Sequence, residues 1–315
     1  MRRFLVSPLW QLVRVVNPLA LLAGVLFFAL GAGIVDFRNQ PFSGVDYWLG
    51  QACITLLQMS SALLKAFYDR AGETEALSSS RKPDNENKSE EEREKPPGEI
   101  VLPRSVFLQT GLTTLSIGAA ITVLLLTRGA LNVSAMLLLG VAFGITFFYS
   151  VPPLRLVYSG YGELLMAFFL ANLTPAFAFA LLSGEMDAHL LGLLTFPLTL
   201  LCLAMMMALS LEHYYRDLKQ GHMTMMVRLG WQRGMLVHNI LVPLAYLLLG
   251  ISALMGLSWS VLWPAMLTLP IGAFQVWQMW QIGNGAPTRW PLLRLTAYAT
   301  VGLTVYLLTF SLWMG

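Results

Sequence analysis

Residues 189–221 read HLLGLLTFPLTLLCLAMMMALSLEHYYRDLKQG: from Leu190 to Leu211 no side chain carries a charge, and then Glu212, Arg216, Asp217 and Lys219 arrive together. An apolar run of that length crosses a hydrocarbon core of roughly 30 Å as a helix, and the charges after it hold its end at an interface. Eight other stretches repeat the pattern. With this one they lie at about 16–35, 47–68, 106–127, 131–150, 162–183, 189–211, 236–256, 260–280 and 292–313. Backbone polar groups in lipid must satisfy one another within the segment, and no stretch alternates as a barrel strand would, so all nine are expected to be helices. The fold class is all-α, a polytopic membrane bundle of nine transmembrane helices, with 1–315 as a single membrane domain.

Composition carries the same message. The 315 residues are 56% hydrophobic and 12% charged, with mean hydropathy +0.64, whereas soluble domains carry about 25% charge. Residues 74–99 alone hold eight acidic and five basic side chains, with a Ser78-Ser-Ser80 run and Pro96-Pro97, so this stretch is expected to be a disordered loop. Cys53 and Cys202 both lie in apolar runs, which leaves no disulfide framework and no CxxC metal pattern. No cleaved leader is expected, since Arg14 interrupts the first apolar stretch. All but two of the 20 Lys and Arg residues fall on the N-terminal side of the spans, the exceptions being Arg38 and Arg128. This bias places the N-terminus in the cytoplasm and the C-terminus outside, in a multi-pass protein of the cell membrane surrounded by lipid. The net charge of +3 then reports orientation and not nucleic-acid binding.

The loops on the basic side hold the chemistry. Ionisable groups in or at a span cost free energy unless they face a cavity or one another. The second span ends with Gln58, Ala62, Lys65 and Asp69 on one helical face, followed by Arg70 and Glu73. The sixth ends with Ser210, His213 and Asp217 on one face, among Glu212, Arg216 and Lys219. Glu163 opens the fifth span. Taken singly, Lys65/Asp69 and His213/Asp217 are ordinary i,i+4 interfacial pairs. Two such helix ends on one side of the membrane read as two halves of one site.

Two further segments give this pattern a relative. Tyr149-Ser-Val-Pro-Pro153-Leu-Arg155-Leu-Val-Tyr158-Ser-Gly160-Tyr-Gly162-Glu163 and Asp217-x-x-x-Gly221-His222-x-Thr224-x-x-Val227-Arg228-Leu229-Gly230 resemble segments of the UbiA superfamily of intramembrane prenyltransferases. The similarity is greatest to the branch that prenylates 1,4-dihydroxy-2-naphthoate, and Pro103-Arg104-Ser105 fits as well. The resemblance implies an isoprenyl diphosphate as donor, an aromatic or quinone-precursor acceptor, and Mg²⁺ held by acidic helix ends.

In this chain the acidic ends are depleted. The family's Asn-Asp-x-x-Asp is matched by Lys65-Ala-Phe-Tyr-Asp69, and its Asn-x-Arg-Asp-x-x-x-Asp by Ser210-Leu-Glu212-His213-x-x-x-Asp217. The resemblance therefore implies a catalytic set of Lys65, Asp69, His213 and Asp217. Substrate would be bound by Arg70, Tyr149, Arg155, Tyr158, Glu163, Ser210, Arg216 and Lys219. A weakened Mg²⁺ site would remain at Asp69, Asp217 and Glu73, Glu75 or Glu212. Two functions stay open: a prenyltransferase whose basic residues share the diphosphate charge with the metal, and a non-catalytic relative that binds a lipid, quinone or partner protein. A transporter is disfavoured, because the charges cluster at one face and no matched broken spans stand out.

Overall fold

The computed structural model describes residues 8–79 and 102–315, the side chains of 8–10 and 70–79 excepted. The described residues are helical throughout, with one isolated bridge and no strands. The helices are α1 (Pro8–Val16), α2 (Pro18–Phe37), α3 (Gly44–Ser79), α4 (Arg104–Thr127), α5 (Val133–Ser150), α6 (Gly162–Phe168), α7 (Thr174–Ser183) and α8 (Ala188–Leu211). After them come α9 (Tyr214–Lys219), α10 (Met225–Leu229), α11 (Trp231–Leu254), α12 (Trp259–Met266), α13 (Leu269–Gly283) and α14 (Trp290–Met314).

Among the described residues seven helices are long and apolar enough to cross a membrane, or eight if α12 and α13 form one bent span. The chain is thus an integral membrane protein. The remaining expected span falls on α3, whose Gln51, Gln58, Ser60, Ser61 and Lys65 dilute its apolar run. At 36 residues and 1.5 Å per residue, α3 is about 54 Å long and outreaches a bilayer core of roughly 30 Å. Lys65 lies about 32 Å from its start and Asp69 one turn further. Residues 74–79 of the charged stretch continue this helix, while 80–99, expected to be disordered, lie outside the described residues.

Two breaks were not foreseen. Asn17 adopts φ 54° before Pro18 and separates α1 from α2, so the first apolar stretch begins as a distinct short helix. The eighth expected span is bent by 41° between α12 and α13; it is one break among the described residues, without a matched counterpart in the other half. Proline lies on either side of that break, at Pro264 and Pro270, and proline cannot donate the ladder hydrogen bond.

The fifth span is the bundle's centre: 72% of its apolar stretch is buried, against 22% for α4 at the rim. It is α6 and α7 joined by one π turn, Phe169–Leu173. Pro175 cannot donate to the carbonyl of Ala171 and its ring crowds that carbonyl, so the ladder widens just upstream. The Thr174 hydroxyl donates to the carbonyl of Phe169 at 2.9 Å. Lipid tails are as apolar as leucine, so close backbone approach and buried hydrogen bonds hold such helices together. Gly31 shows the first: a Cβ there would collide with the Pro175 carbonyl where α2 crosses α7. Asn172 shows the second, accepting from Thr195 of α8 at 2.8 Å and donating to Thr199. The last helix returns to the first span, where Trp313 Nε1 donates to the carbonyl of Ala29 at 3.1 Å. At the end of the bundle away from Lys65, the two outlying arginines are each paired, Arg38 with Asp187 and Arg128 with Asp46.

Candidate functional site

The tip of α3 carries a dense ionic cluster. Lys65 Nζ lies 2.8 Å from Asp69 Oδ2, the expected i,i+4 pair. The other oxygen, Oδ1, accepts from Arg155 and, at 3.0 Å, from the Tyr158 hydroxyl. Both partners come from the segment after α5, where Arg155 takes φ 40° and starts a single 3₁₀ turn, Leu156–Tyr158. The Tyr158 ring lies under both cations, 5.2 Å from Lys65 Nζ and 4.9 Å from the Arg155 guanidinium carbon. Burial and the Asp69 charge push the Tyr158 hydroxyl up, against the pull of Lys65, so it stays protonated and donates.

The second tip reaches the same place by another route. A turn at Glu212–His213 ends α8, and α9 starts again at Tyr214, so positions 210, 213 and 217 do not share one continuous helical face. The expected His213–Asp217 side-chain pair is replaced by a backbone bond, Asp217 N–H to the His213 carbonyl at 2.9 Å. Ser210 and Glu163 were expected to touch substrate and instead bind each other at 3.0 Å, while the other Glu163 oxygen accepts from the Met225 N–H at 3.0 Å. Glu163 thereby braces α6, α8 and α10. Glu212 turns to Arg294 of α14, at 3.3 Å.

Asp217 is buried, at 8% exposure. Burial raises its carboxyl pKa above the usual value, while Arg216, His213, His222 and Lys65 each pull it back. Lys65 of α3 thus lies near enough to Asp217 of α9 to act on its charge. His222, to which sequence reasoning gave no role, joins them. Its ring stacks on Tyr158 with centroids 3.8 Å apart and planes 14° from parallel. Burial lowers its pKa first, Asp69 and Asp217 raise it, and Lys65 and Arg155 lower it further. The only sequence signal was its place next to Gly221, where the related segment carries lysine. The bridge between Ser159 and Met223, with the Arg228 guanidinium 4.0 Å over the Tyr161 ring, fastens the two loops. Arg216 and Lys219 are exposed on α9, and Lys219 enters no hydrogen bond or ion pair of the cluster. The side chains of Arg70, Glu73 and Glu75 lie outside the described residues.

Beneath this cup is a cavity of about 380 Å³. Lys65, Tyr149 and Gln58 are among its few polar walls, and Phe27, Phe169, Met205 and Val301 are typical of the rest. It reaches the lateral surface where Leu19 and Leu22 of α2, both about half exposed, approach Tyr298 and Gly302 of α14. No three His, Cys, Asp or Glu side chains converge on a metal-sized space among the described residues. Asp69, which would be a principal ligand, has both oxygens held by two cations and a phenol. The described residues therefore do not fit a carboxylate-held Mg²⁺ centre of the kind the resemblance implies.

Lys65 thus joins the ionic cluster at the tip of α3 to the wall of a largely apolar cavity inside a helical membrane bundle. The sequence match is more specific: residues 81–297 match the UbiA prenyltransferase family, and the chain belongs to it. It is 31% identical over 182 residues to the chloroplastic 2-carboxy-1,4-naphthoquinone phytyltransferase of Arabidopsis thaliana, a match covering 55% of this chain and 47% of that one. The chain thus spans about half the length of that relative. In fold it is similar to a UbiA homolog from Archaeoglobus fulgidus bound to GPP and Mg²⁺, with TM-score 0.56, 16% identity, and 97% and 100% of the two chains covered. It is also similar to a digeranylgeranylglyceryl phosphate synthase, with TM-score 0.57, 13% identity, and 97% and 96% covered.

Proposed function

We propose that this protein is a membrane prenyltransferase that binds an isoprenyl diphosphate and transfers its prenyl group to an aromatic or quinone-precursor acceptor, with Mg²⁺ binding weakened or lost. The observation that carries this reading is Lys65, which belongs at once to the ionic cup and to the wall of the apolar cavity. A diphosphate seated there competes with Asp69 for the Lys65 ammonium and the Arg155 guanidinium, and its isoprenoid tail occupies the chamber below. Charge-assisted hydrogen bonds from these two cations stabilise the negative charge that builds as the C1–O bond breaks and its electron pair leaves with the diphosphate. The Tyr149 and Tyr158 rings face the resulting allylic cation. An electron-rich carbon of the acceptor ring supplies the pair for the new C–C bond and releases its proton, for which Asp217, whose carboxyl pKa is raised, is the recipient we assign.

The same reading places α3 as the ninth span, the two tips on the cytoplasmic side and the protein in the cell membrane, on the strength of the arginine and lysine bias. It treats 1–315 as one membrane domain. The occupied oxygens of Asp69 favour a second reading, a non-catalytic relative that binds a lipid or quinone. One assay separates the two: purified protein with geranylgeranyl diphosphate and a dihydroxynaphthoate, in Mg²⁺ and in EDTA. Prenylated product that is lost in Asp217→Ala supports the enzyme. Saturable binding with no product, unchanged in Asp69→Ala and Asp217→Ala, supports the second reading and overturns the first.

A further inference from the structure

A second hollow, of about 440 Å³, lies between the last turns of α13 and the start of α14. It is on the same side of the bundle as the cup, since Arg294, in the second turn of α14, pairs with Glu212 at the end of α8. Two kinds of wall meet in it. Phe274 and Trp277 stack with centroids 5.5 Å apart and are 40% and 50% exposed on the outer face of α13, as aromatic side chains are at the level of lipid headgroups. Gln278 and Gln281 follow on the same stripe of α13, and Arg289 comes from the segment before α14. Arg289 is exposed and forms no ion pair among the described residues. Gln278 is more unusual. It is 8% exposed, its Oε1 accepts from Thr296 at 3.0 Å, and its Nε2 has no partner among the described residues. Buried amides are normally satisfied, so an orphaned donor in the wall of a hollow marks a place where a ligand oxygen belongs. The 25-residue helix α14 begins at Trp290, and its N-terminal dipole adds positive potential beside Arg289.

We propose that this hollow is a binding site for an anionic phospholipid, with the phosphate held by Arg289 and the Gln278 amide and the first acyl carbons against Phe274 and Trp277. A cation and an amide donor at the rim call for an anion, and the lipid-facing aromatic wall calls for a chain attached to it. Anionic lipids concentrate in the cytoplasmic leaflet, to which the basic bias assigns this face. The site also touches regulation, because α14 carries Arg294 and hence Glu212, next to His213 at the cup. A lipid that fixes the start of α14 steadies the α8–α9 turn. This inference does not depend on the prenyltransferase reading.

Native mass spectrometry of the full-length protein in detergent, titrated with phosphatidylglycerol or phosphatidylcholine, tests it. The expected result is a retained phosphatidylglycerol adduct that weakens about ten-fold in Arg289→Ala, persists in Lys65→Met, and is not displaced by inorganic phosphate. Arg289 is exposed, so its loss leaves the fold intact; Gln278→Leu provides a second, buried variant with the same expected loss. Equal retention of the two lipids, or an adduct unchanged in Arg289→Ala, overturns the proposal. So does an adduct lost only in Lys65→Met, which assigns the lipid to the cup, or displacement by phosphate, which assigns the hollow to a free anion.

Discussion

Replacing Lys65 with methionine keeps most of the side chain's apolar length in the cavity wall and deletes its ammonium. In the free protein the consequence is small, because Asp69 keeps Arg155 and the Tyr158 hydroxyl. In the complex the diphosphate loses one charge-assisted contact. Hydrogen bonds to charged groups contribute about 1.5–3 kcal/mol, and the Lys65 side chain is 35% exposed, which favours the lower half of that range. A loss of about 1.5–2 kcal/mol is a roughly 10- to 30-fold weaker Kd. The measurement is equilibrium binding of geranylgeranyl diphosphate to detergent-solubilised protein in EDTA. Adding Mg²⁺ should help the variant more than the wild type, because Asp69 Oδ2 is freed from its cation. A variant Kd within about two-fold of wild type in EDTA would refute the assignment of Lys65 to the diphosphate.

Glu163→Gln keeps the shape of the brace but removes the charge that accepts from Ser210 and Met225. The cost should be about 1–3 kcal/mol, read as a fall in Tm of roughly 2–5 °C. Asp217→Asn should lower product formation and yet raise Tm at pH 7. Its folded carboxyl pKa is raised above the usual 3.8, so its contribution to stability is complete below that value and is lost as pH rises through the folded one. The gain from asparagine should therefore shrink as pH falls toward 3.8. Gly302 lines the cavity with open space where a Cβ would stand. Gly302→Trp should weaken binding of a twenty-carbon prenyl diphosphate by about ten-fold or more and leave a five-carbon one unchanged; equal losses for both would contradict the cavity's role as the tail site.

Most of the helices and some contacts of the candidate site were legible in the sequence. Seven of the expected spans coincide to within about five residues with helices long and apolar enough to cross a membrane, because a run of some 20 apolar residues has few alternatives in lipid. The bend between α12 and α13 and the π turn before Pro175 were hidden, since proline tells where a ladder weakens and not how it yields. Lys65–Asp69 was legible at i,i+4. Arg155 and Tyr158 were recognised as site residues, but their attachment to Asp69 across more than 80 positions has no local signature. On α8 the i,i+4 pattern misled: the turn at Glu212–His213 sends Glu212 to Arg294 and Ser210 to Glu163. His222 stood in a quoted motif without a role, because its partner ring belongs to a different loop.

The most direct test of the shared cup is an experimental structure with a non-reacting thiolodiphosphate analogue of geranylgeranyl diphosphate. The expected density has its phosphates within hydrogen-bond reach of Lys65 and Arg155, between Asp69 and Asp217, and its tail running past Tyr149 toward Gly302. Density for the analogue elsewhere, or tips of α3 and α9 that face separate surfaces with the ligand bound, would contradict the account.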